Sequence, residues 1–162
     1  MFGKIKTEMK QKPNLIQKSI NRLFLKIYDF IDRKNKKPET RFGTKKAIEE
    51  LVAQYGYEYE GWMQDWPLEI ADFREIENYF LHYDEQTDDD KKFSLMEMLI
   101  FALTDIENDA DFNKYWELLR GRLIKDFEIH VFTVFNCCCF EQELSESWNV
   151  APNMRLLWNE FK

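Results

Sequence analysis

The chain has 162 residues, 44% apolar and 16% aromatic, with 23 Lys+Arg against 30 Asp+Glu and a formal net charge of −7. A chain of this length ordinarily forms one domain and buries roughly 70% of its unfolded surface, so bulk disorder is excluded and no metal or disulfide staple is needed. Five Gly and four Pro supply few turns, which argues against a sandwich, a barrel or a Gly-rich nucleotide cradle.

The net charge is the sum of two unlike parts. Residues 1–46 hold fourteen Lys/Arg and four Asp/Glu, a balance of +10; residues 47–162 hold nine and twenty-six, a balance of −17. The first part prefers anionic surfaces or its own acidic neighbour. The second repels nucleic acid and attracts a basic partner. The expected organisation is a single helical domain, 1–162, with a basic helix and loop in 1–46 and an acidic body in 47–162.

In chain order, residues 14–33 read as a helix. Ile16, Ile20, Leu23, Ile27 and Phe30 step by four and three, after start signals at Pro13 and Asn14. The basic run 33–38 closes it. A second helix is predicted over 44–55, capped by Thr44, striped by Ala47, Ile48, Leu51 and Val52, and stopped at Gly56. Residues 56–71 read as irregular. Asp72 then caps a helix to about Tyr83, with Glu75 completing a capping-box pattern and Phe73, Ile76, Phe80 and Tyr83 facing inward.

Thr87 is the predicted start of the next helix, whose first turn carries Asp88, Asp89 and Asp90 and whose buried face is Phe93, Met96, Leu99, Ile100 and Leu103. Asn108 or Asp109 starts another, with Phe112, Tyr115, Trp116, Leu119 and Leu123 inward. Residues 127–140 carry strand-forming Val and Phe, but their length favours a buried helix, with Asp126 at the cap position. A last helix opens between Asn149 and Pro152 and turns Met154, Leu157, Trp158 and Phe161 inward. The expected fold is all-α, a compact bundle or a short irregular helical layer of about six or seven helices.

Catalytic and cofactor motifs are missing from the sequence: it contains no GxSxG, HExxH, P-loop or GxGxxG. His130 lies in an apolar run and reads as a core histidine. His82 sits near a helix end, where a cation is favourable without any function. A nucleophile pair of His130 with one of Cys137, Cys138 or Cys139 is disfavoured, because these thiols lie in an apolar stretch of an acidic half, and a thiolate needs an electropositive, accessible pocket. Asp88-Asp89-Asp90 lacks the glycine and glutamate rhythm of a calcium loop. We therefore expect no enzyme, no metal and no cofactor. The odd, consecutive cysteines cannot build a disulfide framework, and neither a signal peptide nor an 18-residue apolar run is present, so a reduced, cytoplasmic chain is expected.

The most unusual local feature is residues 55–66, which place Tyr57, Glu58, Tyr59, Glu60, Trp62 and Asp65 close together. Tyr and Trp are favoured anchors of protein interfaces, and acids around them steer a basic partner. The same rings would also serve to cover the end of the helical core. Those six residues, with Asp88, Asp89 and Asp90, are the candidate partner-binding set. The basic amphipathic helix in 14–33 suits burial or a homodimer seam, and less well a membrane surface.

From Asp65-Trp66-Pro67-Leu68-Glu69-Ile70-Ala71-Asp72 onward, short words become familiar: Lys92-Phe93-Ser94-Leu95-Met96-Glu97, then Ile129-His130 with Thr133, then Pro152-Asn153-Met154-Arg155-Leu156-Leu157-Trp158. Over residues 62–162 the chain resembles small, acidic, helical immunity proteins of bacterial polymorphic-toxin and contact-dependent antagonism systems. The basic segment 1–46 and the cysteine triplet depart from that pattern. The resemblance implies a protein that neutralises a cognate toxin by direct contact. The alternative is a peripheral membrane or scaffold adaptor acting through the basic N-terminal helix.

Overall fold

A computed structural model describes residues 36–161, which form seven α-helices and two short 3-10 turns, with no strand among them. The helix expected over 14–33, with its dimer seam, lies outside the described residues.

Helix α1 spans Lys45–Tyr55 and has both predicted ends. Thr44 Oγ1 accepts the Ala47 N–H, and Gly56 closes the helix at φ 74°, its own N–H donating to the Val52 carbonyl. That left-handed conformation is inexpensive for glycine alone. The stretch read as irregular contains a short helix, α2 (Trp66–Ile70), with Pro67 in its first turn, where its missing N–H costs nothing.

The capping box expected at Asp72 does not form. Asp72 accepts the Arg74 N–H and opens a 3-10 turn, Phe73–Glu75, that runs into α3 (Ile76–Glu85). The Asp72 N–H goes to the Tyr79 hydroxyl at 3.2 Å, while the Glu75 carboxylate takes the Asn78 amide at 2.6 Å. Phe73, expected to face inward, is half-exposed; Ile76, Tyr79, Phe80 and Tyr83 are buried instead.

Helix α4 (Asp89–Thr104) starts one residue later than expected. The Asp88 carboxylate is its cap, accepting the Asp90 and Lys91 N–H groups. Between Phe93 and Leu103 its one charge is Glu97, and Phe93, Leu95, Met96, Met98, Leu99, Ile100, Ala102 and Leu103 are all at most 1% exposed. A helix apolar on all sides must be surrounded. Helices α1, α2 and α3 pack on it, as do α5 (Asp109–Lys125) and α6 (Phe127–Cys137). Beyond a 3-10 turn at Leu144–Glu146, α7 (Ala151–Phe161) packs on α6. The described residues are thus a cluster of helices around one central helix. Residues 127–137 are helical despite their strand-like composition, packed against α4, α5 and α7, which bury Phe127, Val134 and Cys137.

A polar network crosses this core. The Tyr83 hydroxyl donates to Asp126 Oδ2 at 2.9 Å, Lys92 Nζ reaches the same oxygen at 2.7 Å, and His130 Nε2 lies 2.8 Å from the Tyr83 oxygen. Since the Tyr83 proton goes to Asp126, the His130 proton sits on Nε2. Nδ1 is then a bare acceptor, and it has no partner among the described residues. Asp126 does not cap α6 as expected, for its carboxylate is committed to Lys92 and Tyr83. No helix among the described residues is long and apolar enough to cross a membrane.

Candidate protein-binding groove

An open groove of about 1180 Å³ lies between the chain leaving α1, the α2–α3 connection and one face of α3. Its floor is aromatic. The Tyr55 and His82 rings stack with centroids 3.6 Å apart, and Tyr57 meets both His82 and Tyr79 edge-on at 5.7 and 5.9 Å. The Tyr57 hydroxyl bonds to His82 Nδ1, and the Tyr55 hydroxyl donates to Glu85 at 2.8 Å. Burial lowers the His82 pKa below the ordinary imidazole value, which works against the helix-end cation considered from the sequence. Burial also raises the Tyr57 and Tyr79 hydroxyls and pushes Tyr55 up to about 12, assisted by Glu85. All three remain protonated.

The walls carry carboxylates from Glu58, Glu69, Asp72, Glu75 and Asp105, against one cation, Arg74. Arg74 is spent locally, its guanidinium forked onto both oxygens of Asp72, which holds that carboxyl below the usual range. Glu58 and Asp105 have no ion pair among the described residues. A second groove of about 590 Å³ shares Phe73, Arg74 and Asp105 with the first and adds Glu77, Glu107 and Asp111. The two form one continuous acidic surface.

Of the candidate set, Tyr57 and Glu58 line the groove. Tyr59 is half-buried against the core. Glu60 and Asp65 are exposed on the same loop, and Trp62 projects from it with 71% of its surface exposed. The rings of residues 55–66 therefore divide. Trp66 is buried, with its indole N–H on the Glu58 carbonyl at 2.8 Å, whereas Trp62 is largely exposed. Asp88, Asp89 and Asp90 do not line the groove. Asp88 caps α4, and Asp90 holds Arg41 at 2.7 Å.

Sequence reasoning missed Tyr79, His82, Asp72, Glu75 and Asp105. The signal for part of this set was present, because residues 75, 79 and 82 share one face of α3 by helical spacing.

Of the three consecutive cysteines, Cys139 is half-exposed. Cys137 and Cys138 are buried, and burial raises both thiols, Cys138 to about 12, so neither is a thiolate at neutral pH. No family model, curated protein or solved structure matches the chain.

Proposed function

We propose that the chain is an immunity-type binding protein that neutralises a cognate bacterial toxin by direct protein–protein contact, without turnover. One observation carries the reading: among the described residues of the acidic body, every cation but Lys125 is engaged within it. Arg74, Lys91, Lys92, Lys114, Arg120 and Arg122 each pair with a carboxylate, and Arg155 donates to the carbonyls of Cys138, Cys139 and Gln142. The excess carboxylates face outward beside exposed rings. Such a surface steers and orients a basic protein and repels nucleic acid.

Toxin domains that act on nucleic acid need basic clefts, and an acidic surface complements one. The proposed setting is the cytoplasm, where an immunity protein meets its toxin. Co-expression tests the reading: cells making the toxin encoded beside this chain survive when the chain is present. Equal killing with and without it would end the proposal. The membrane-adaptor alternative rests on residues 1–37, nearly all outside the described residues, and no observation favours it.

A further inference from the structure

We infer that the groove floored by Tyr55, Tyr57, Tyr79 and His82 and flanked by Glu58 and Asp105 is a receptor for an arginine-bearing basic segment of a protein partner. The inference rests on the reading of this chain as a protein-binding module, and it names the site and the chemistry of the ligand.

Elsewhere on the body, cations and rings are matched internally. Arg41 lies over Phe93 at 4.9 Å, Arg122 over Phe80 at 4.5 Å, Lys114 over Tyr115 at 4.4 Å, Lys92 over Tyr83 at 5.4 Å and Arg155 over Phe140 at 5.5 Å. The four rings of the groove floor carry no cation among the described residues. Tyr55, Tyr57 and His82 are part-exposed at the groove, Tyr79 is buried beneath them, and the neighbouring Glu58 and Asp105 carboxylates have no ion pair among the described residues. A ring face attracts a cation through its quadrupole, and a carboxylate accepts two parallel N–H bonds from a guanidinium. The Tyr57–His82 bond and the stacking of Tyr55 on His82 hold the floor in place, so little order has to be gained on binding.

Arginine fits better than lysine for a geometric reason. Its planar guanidinium stacks flat on a ring while its edge forks onto a carboxylate, and it is less strongly hydrated than an ammonium. A lysine gains the charge and ring attraction but neither the flat stack nor the two-pronged fork onto a carboxylate. Arg74 does not compete, because it is neutralised by Asp72. The groove extends past Asp105 toward Glu107 and Asp111, so a segment of several residues with more than one cation is accommodated.

The test uses the full chain with fluorescently labelled octa-arginine and octa-lysine peptides, read by anisotropy. Octa-arginine is expected to bind at least about fivefold more tightly than octa-lysine at moderate salt. The triple variant Glu58→Gln, Glu75→Gln, Asp105→Asn is expected to weaken octa-arginine by about tenfold or more. All three side chains are exposed, so the fold is retained and unchanged circular dichroism confirms it. A control variant, Glu141→Gln, Glu143→Gln, Glu146→Gln, removes equal charge from another exposed acidic stretch and is expected to stay within about twofold. Equal losses in the two variants would mean diffuse charge and overturn the site. Equal affinity for the two peptides would overturn the ring-stacking argument. No toxin is involved, so failure here and failure of the co-expression experiment are separate results.

Discussion

His130 gives the sharpest test of the packing argument. It is fully buried on α6, with Asp126 just before the start of that helix, Tyr83 and Lys92 facing it from α3 and α4, and Arg41 nearby from the chain before α1. Burial is the largest cause of a pKa lowered to about 3; Asp126 works against it, and Arg41 and Lys92 add to it. The unfolded chain takes up a proton at this histidine near pH 6.5, while the folded chain refuses it until about pH 3. Between those values the unfolded state binds more protons, so stability falls as pH falls, by about 1.4 kcal/mol per pH unit for this one group. From pH 6.5 to 4.5 that amounts to about 2–3 kcal/mol, a large part of an ordinary domain's stability. His130→Gln removes the titration and keeps an amide donor for Tyr83. Urea unfolding followed by circular dichroism at pH 4.5, 5.5 and 6.5 should show the wild type losing this increment relative to the variant. Parallel pH profiles for the two proteins would refute the claim that a neutral imidazole is locked into the core.

Other consequences are as direct. Glu97 is raised to about 7 by burial first and by the charge of Asp65 second; the unfolded chain therefore releases this proton first, and stability is lost as pH rises from about 4.5 to 7. Glu97→Gln should gain about 1–3 kcal/mol at pH 8 and almost nothing at pH 4.5, read from thermal melts. Leu99→Ala, at the centre of the wrapped helix, should cost about 3–5 kcal/mol, whereas Leu81→Ala, 61% exposed on α3, should cost under about 0.5, both by urea unfolding. Iodoacetamide at neutral pH should leave Cys137 and Cys138 unmodified in the native chain and label both after unfolding, as mass spectrometry of peptides will show.

Most helices were legible because their signals are local. Thr44 and Gly56 bracket α1, Asn108 caps α5, and the apolar spacing of α7 needs no tertiary information. The central position of α4 was less legible. Its inward stripe was read correctly, but burial on every side follows from where five other helices lie. Asp126 shows how a local rule loses to a distant partner: at a cap position, its carboxylate goes instead to a lysine 34 residues away and a tyrosine 43 residues away. The groove was half-legible. Tyr57 and Glu58 stood out by composition, whereas Asp105 joins them through chain folding alone. Trp62 and Trp66, four residues apart, look alike in sequence, yet one is exposed and the other is in the core.

The central claim is that this acidic body binds a basic toxin. Calorimetric titration of the full chain with the toxin domain encoded beside it, at low and high salt, measures that directly. The account predicts saturable binding that weakens by about tenfold or more as salt screens the carboxylate surface. An absence of binding at low salt, or an affinity indifferent to salt, would contradict it.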